Sequence, residues 1–177
     1  MKYFAVQVRT LKEDAYIERV SGYLHFRQDK QEFFFPKRKL AVRRMGKTTH
    51  EIRPIFPGYI FVSAEAIDPQ LFNIMRGTKD FTRFLKNNRD ITAIEGRDLT
   101  ILRHFLQFGG IAETSEVGFD ENDRIVVKSG PMQGLEGLIV KVDKRKKRAK
   151  IALDFANEHF LIDLAFDILE ESRNEPQ

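Results

Sequence analysis

Two short stretches of the chain concentrate enough positive charge to bind a polyanion. Residues 36–53 carry Lys37, Arg38, Lys39, Arg43, Arg44, Lys47 and Arg53 against Glu51 alone, a local net charge of +6. Residues 141–150 carry Lys141, Lys144, Arg145, Lys146, Lys147, Arg148 and Lys150 against Asp143, again +6. Residues 151–177 reverse the sign, with Asp154, Glu158, Asp163, Asp167, Glu170, Glu171 and Glu175 against Arg173, for −6. The whole chain carries only +4, so the segregation matters more than the total. Dense Lys/Arg clusters neutralise phosphates and give salt-dependent contact with nucleic acid. A merely solvated surface is the competing reading for either cluster alone. The run from Lys144 to Arg148 contains no aromatic residue. Base-selective reading needs stacking or base-edge contacts and does not follow from that run.

A second constellation is Ile55-Phe56-Pro57-Gly58-Tyr59-Ile60-Phe61-Val62. Proline fixes one torsion and glycine opens conformations closed to other residues, so Pro57-Gly58 is a turn signal with a mechanism. Phe56 and Tyr59 flank the bend. Either they belong to a core strand behind a turn, or the bend displays them as an aromatic docking patch.

Other chemistries find little support. Cysteine is absent, which excludes disulfides and thiolate metal sites and is compatible with a reducing cytoplasm. His25, His50, His104 and His159 lack metal-ligand spacing, and there is no glycine-rich phosphate loop. No serine sits in a Gly-x-Ser-x-Gly elbow. Asp120, Glu121 and Asp123 read as a solvated approach to a strand rather than a metal cluster. No catalytic residue, metal or cofactor is expected. No apolar run approaches the ~20 residues of a membrane span, and the N-terminal residues lack the pattern of a signal peptide.

The elements that must position these residues fall into two groups. Residues 3–8 read as a strand rich in β-branched and aromatic residues. Thr10 with Glu13 suggests a capping box opening a helix over 11–26, with Tyr16, Ile17, Val20, Tyr23 and Leu24 at helical spacing. Phe33-Phe34-Phe35 predicts a short strand ending at Pro36. A basic hairpin follows, with Gly46 near its tip, and then the Phe-Pro-Gly-Tyr strand. Asp68-Pro69 predicts a capped helix containing Leu71, Phe72 and Met75. Residues 82–85 read as a strand. Asp98 is placed as the cap of a third helix carrying Leu99, Leu102, Phe105 and Leu106, ended by Gly109-Gly110. This order predicts an α+β domain over 1–107, an N-terminal antiparallel sheet covered by helices. Residues 108–118 read as a flexible linker and 173–177 as a polar tail. Over 119–172 the pattern is purely β, with five short strands and turns at Ser129-Gly130-Pro131 and Lys144–Arg148, which predicts a small five-stranded barrel.

In order and spacing these motifs resemble the NusG family of transcription elongation factors over nearly the whole length. Tyr3-Phe4-Ala5-Val6-Gln7-Val8-Arg9-Thr10 resembles that family's first strand, and Phe56–Val62 its central motif. Val127-Lys128-Ser129-Gly130-Pro131, with Gly134-Leu135-Glu136-Gly137 and Val142-Asp143, resembles its C-terminal KOW module. The resemblance implies an NGN-type domain that docks on the clamp helices of RNA polymerase and favours processive elongation. Phe56 and Tyr59 fall at the family's hydrophobic docking surface, with Arg9 and Arg76 as charged rim. The basic hairpin, with Lys37, Arg38, Arg43, Arg44 and Lys47, is then expected near upstream DNA or polymerase. The KOW module implies a second partner, ribosomal protein S10 or Rho, met through Met132, Leu135 and Phe155. Here Met132 and Leu135 stand where aromatics are frequent, and Phe155-Ala156-Asn157 replaces Phe-Gly-Arg. The dense Lys144-Arg145-Lys146-Lys147-Arg148 turn is more similar to LoaP, a specialised antitermination branch that recognises RNA. These implications describe a monomeric, cytoplasmic, non-enzymatic binding factor. A ribosome-associated KOW protein is the competing reading.

Overall fold

The strand after Pro57-Gly58 is apolar at nearly every position, and this pattern demands cover on both faces. The computed structural model describes residues 1–27, 30–85 and 87–169. The elements run β1 (Lys2–Val8), α1 (Glu13–Leu24), β2 (Glu32–Phe34), β3 (Lys37–Arg44), β4 (Lys47–Pro54), β5 (Tyr59–Ala64), α2 (Pro69–Gly77), β6 (Phe81–Phe84), α3 (Gly96–Leu106), β7 (Ile111–Ala112), β8 (Ser115–Phe119), β9 (Ile125–Ser129), β10 (Ile139–Asp143), β11 (Arg148–Phe155) and β12 (Glu158–Ile168). They divide into two units. The first comprises Met1–Pro36 and Pro54–Gly110, and the second comprises Lys37–Arg53 and the chain from Ile111. The architecture is α+β, as its pattern predicts.

In the first unit an antiparallel sheet runs in the order β2-β5-β1-β6. Strand side chains alternate between faces. Ile60, Val62 and Ala64 of β5 therefore join Phe4, Val6 and Val8 of β1 in one core with Tyr16 and Val20 of α1 and Leu71 and Met75 of α2. Tyr59 and Phe61 point to the other face, where Phe56 meets Phe61 and Phe105 of α3 edge-to-face. Helices thus cover both faces of the sheet. The Tyr16 hydroxyl donates to the Met75 carbonyl at 2.9 Å and ties α1 to α2. Burial raises its phenol pKa well above the ordinary value.

The helix starts show which local signals hold. Asp68 caps α2 as expected, its carboxylate accepting from the Leu71 N–H at 2.8 Å with Pro69 in the first turn. Arg27 also donates to Asp68, at 2.5 Å, and that bond with the cap bond holds the carboxyl below its ordinary pKa. Because the native pKa is depressed, its stabilisation is present above the unfolded carboxylate pKa and is lost as pH falls through the native value. Asp68→Ala should cost about 0.5–2 kcal/mol at neutral pH. In urea titrations, the gap between wild type and variant should close in acid. A gap that persists in acid would assign the cost to packing rather than to charge.

Two expected caps differ from the structure. No Thr10 side chain caps α1: Lys12 occupies the cap position without a side-chain bond. Glu13 turns away from the helix backbone to accept from the Gly58 N–H. For α3 the cap position is Glu95, and Asp98 lies in the first turn, where a carboxylate still complements the helix dipole.

In the second unit five strands form a sheet in the order β10-β11-β12-β8-β9. The long β12 pairs antiparallel with β11 along residues 158–165, then parallel with β8 through Phe166, Asp167 and Ile168. Serving two neighbours in succession curls the sheet into a half-barrel around Leu153, Phe155, Ile162, Leu164 and Phe166. The expected division differs in two places. Residues 108–118, read as a linker, hold β7 and β8, and β8 is an integral strand of the curled sheet. The basic hairpin β3–β4 lies in the second unit, where β3 pairs in parallel with β7 through Lys37↔Ile111 and Arg38↔Ala112. The tail expected at 173–177, and Glu170, Glu171 and Glu175, lie outside the described residues.

Candidate functional site

The Phe56–Tyr59 bend is held from three sides. The Val8 N–H donates to the Gly58 carbonyl at 2.8 Å, the Tyr59 N–H donates to the Phe56 carbonyl at 3.1 Å, and the Gly58 N–H donates to Glu13 Oε1 at 2.8 Å. Gly58 sits at φ +82°, and a Cβ there would lie 3.1 Å from Thr10 Oγ1. Glycine answers both the left-handed torsion and the close approach. The bend displays no aromatic patch: Phe56 is 0% exposed and Tyr59 2% exposed. Of the two readings of the bend, the displayed patch is corrected in favour of the core strand behind a turn, because Phe61 and Phe105 enclose the Phe56 ring. Arg9 and Arg76 are both exposed.

A similar correction applies to the expected partner-contact residues of the second unit. Met132, Leu135 and Phe155 are all buried. The Met132 N–H donates to Ser115 Oγ at 2.9 Å, and Phe155 closes the inward row of β11 with Ile151 and Leu153. An apolar side chain on a turn is cheapest folded inward, and these serve as core.

The basic residues separate into paired and surplus charge. At the tip of the β10–β11 turn, Lys144 pairs with Asp123 and lies 3.9 Å from the centroid of the Phe119 ring. Lys147 reaches Asp167 at 3.4 Å. Arg145 is exposed. Below the tip, strand register builds a cross-strand row of Lys141, Lys150 and Asp163 beside Asp143 and Arg148. With Lys146 these residues line a cleft of about 190 Å³. Asp163 is shared, at 3.0 Å from Lys150 and 3.9 Å from Arg148. Arg148 also donates to the Ala41 carbonyl of β3, so this half-buried residue fastens the hairpin as well as carrying charge.

On the hairpin, alternation turns Arg38 and Leu40 inward, and both are buried. Burial pushes the Arg38 pKa down to about 10. Asp163 opposes that shift, while Arg53 and Arg148 add to it. Arg38 is therefore a structural cation rather than a free phosphate ligand. Lys39 pairs with Glu113 at 3.0 Å. Arg44 and Arg53 share Glu51 at 2.9 and 2.6 Å, and the Arg53 hydrogen bond leads in holding that carboxylate below its ordinary pKa. Lys37 is half-buried, while Arg43 and Lys47 are exposed. Charge counted along the basic stretches includes Lys141, Lys150 and Arg53 but does not show that they share a face with their carboxylates. Their signal was alternation along strands, which puts every second residue on one face.

Among the described residues no group of three or more His, Asp or Glu could hold a metal, and no helix is long and apolar enough to cross a membrane. Asp120 instead accepts from the Asn122 and Arg124 N–H groups in a local turn. The fold and surface define a two-unit binding protein: an α+β unit closed around an aromatic bend, and a small β unit with surplus positive charge.

The family model for "Transcription termination factor nusG" matches residues 1–103. The chain belongs to the NusG family, whose members are transcription factors that act with RNA polymerase. It is 26% identical over 146 residues to the transcription termination/antitermination protein NusG of Borreliella burgdorferi, covering 77% of this chain and 78% of that protein. To the protein of the same name from Thermus thermophilus it is 23% identical over 136 residues, covering 72% of each. A solved structure concerned with domain interaction in Thermotoga maritima NusG superposes with a TM-score of 0.61 at 16% identity, covering 93% of both chains. That likeness bears on the fold, which it shares.

Proposed function

We propose that this protein is a transcription elongation and antitermination factor that attaches to the clamp helices of RNA polymerase through its first unit and to nucleic acid through its second. The observation that carries the reading is the match of the family model to residues 1–103, which contain the bend locked by Glu13 and Gly58. In this reading Phe56 and Tyr59 shape the docking surface from buried positions, while Arg9 and Arg76 supply exposed charge at its rim. The factor works as a cytoplasmic monomer and catalyses no reaction. Of the second-unit partners, nucleic acid is favoured over S10 or Rho. Met132, Leu135 and Phe155, through which those proteins would be met, are buried, whereas cations outnumber carboxylates on the surface. The charge-rich face also favours a specialised, LoaP-type role.

Immobilised full-length protein should retain purified RNA polymerase and not ribosomal subunits. Reversing the two exposed rim charges together, Arg9→Glu with Arg76→Glu, should weaken retention several-fold, most at low ionic strength. Both side chains are exposed, so the core is untouched. Retention of ribosomal subunits in place of polymerase would overturn the reading in favour of a ribosome-associated protein.

A further inference from the structure

The two basic stretches lie about a hundred residues apart in sequence, yet they meet in the second unit. Arg148 joins them, lining the cleft on one side and donating to Ala41 of β3 on the other. In the cleft, Lys141, Lys146, Arg148 and Lys150 stand against Asp143 and Asp163. On the adjoining hairpin, Arg44 and Arg53 stand against Glu51, and Arg148 and Arg53 are both within electrostatic reach of the buried Arg38. Six cations thus share three carboxylates, a local net charge of +3. Glu51 and Asp163 are each divided between at least two cations. Lys141 is exposed and has no ion pair among the described residues. At the turn tip, by contrast, Lys144 and Lys147 each have a carboxylate of their own, which leaves Arg145 as the surplus cation there. An anion is therefore attracted to the seam of cleft and hairpin more than to the tip.

We propose that the β10–β11–β12 cleft and the β3–β4 hairpin form a single continuous site for the phosphodiester backbone of a nucleic acid, centred on Arg148 rather than on Lys144, Arg145 and Lys147 at the turn tip. This deepens the reading that the second unit contacts nucleic acid, and it rests on that reading. The cleft is lined by Lys, Arg and Asp with no aromatic side chain to stack on a base, so its contacts are placed for phosphates. Several contacts to one backbone release several counterions, which makes the salt dependence a count of the cations engaged.

The test is fluorescence anisotropy with the full-length protein, using a labelled RNA hairpin and a DNA duplex of matching sequence over a salt series. Wild type should bind one nucleic acid per protein, and the tighter arm identifies the backbone it serves. Lys141→Gln with Lys146→Gln should flatten the log–log salt slope by about 2. Arg44→Gln with Arg53→Gln should flatten the slope of the same transition by a similar amount. Asp143→Asn should tighten binding, because it removes a cleft carboxylate while keeping an acceptor for the Lys146 N–H. A gain of this kind cannot come from misfolding. If wild type binds but the hairpin pair leaves the slope unchanged, or two separate binding events appear, the single site is overturned and the nucleic-acid reading stands. If wild type binds neither probe, both are overturned, and an acidic protein surface takes the place of nucleic acid.

Discussion

Replacing Phe56 with alanine should destabilise the first unit by about 3–5 kcal/mol, the range for emptying a buried aromatic site. The ring is fully buried, with Phe61 at 5.8 Å and Phe105 at 6.1 Å between centroids. Edge-to-face geometry with both neighbours adds to what area burial alone provides. A clean readout is built into the composition. The chain has no tryptophan, and its four tyrosines, Tyr3, Tyr16, Tyr23 and Tyr59, all lie within the first unit. Tyrosine fluorescence in urea therefore follows that unit alone. Phe56→Leu should cost clearly less, because it keeps most of the apolar volume. If Phe56 were instead an exposed docking anchor, alanine would leave the unfolding midpoint in place and weaken polymerase binding by about 1–3 kcal/mol. An unshifted midpoint would therefore refute the core assignment. It also follows that lost polymerase binding in Phe56→Ala would not by itself identify a contact. For this reason the exposed arginines are the better probes of docking.

Gly130→Ala should produce the largest loss in the second unit, on the order of 2–5 kcal/mol. About 1–2 of this comes from placing an L side chain in the left-handed region, and about 1–3 from forcing it into packed surroundings. Gly130 sits at φ +92°, and a Cβ there would lie 2.7 Å from Ser115 Cα. The clash is with backbone, so no rotamer change relieves it. Ser115 opens β8, which pairs with both β9 and β12, and its hydroxyl accepts from the Met132 N–H. The substitution therefore strikes the seam between two strand pairs. Gly134→Ala is the control for torsion alone, since φ is +85° with nothing within 4 Å. It should cost only about 1–2 kcal/mol. Gly137, with neither a positive φ nor a neighbour, should tolerate alanine. Amide hydrogen exchange gives the readout, with protection at Met132 falling most in Gly130→Ala. Equal losses at 130 and 134 would refute the role given to the approach on Ser115.

Much of the fold was legible along the chain. The strand at Lys2–Val8, the Asp68-Pro69 helix start, the hairpin around Gly46 and the change to all-β pattern after the third helix are local signals. Each depends on torsional preference, a cap or a period, and these act within a few residues. The failed caps at Thr10 and Asp98 are also instructive. A capping motif states what a side chain is able to bind, and Glu13 met a stronger demand from the Gly58 N–H in a distant turn. The stretch 108–118 lacked period and length, so nothing local marked β7 and β8. Those strands exist because β3, β9 and β12 offer them edges.

The candidate site divides along the same line. Composition and order determined that the chain carries two concentrated basic segments, an aromatic Pro-Gly bend and no cysteine chemistry. Only the tertiary structure decided that Phe56, Tyr59, Met132, Leu135 and Phe155 face inward, that Arg38 is a buried partner of the charge on Asp163, and that the hairpin belongs with the C-terminal strands. Periodicity marks which face of an element is apolar and is silent on what covers a turn. Net charge along a segment counts cations, whereas surplus charge depends on which carboxylates register brings across. Lys150 and Asp163 become neighbours only when β11 and β12 pair, and Lys144 meets Asp123 only when the sheet curls, so the surface that attracts an anion is a property of the folded sheet.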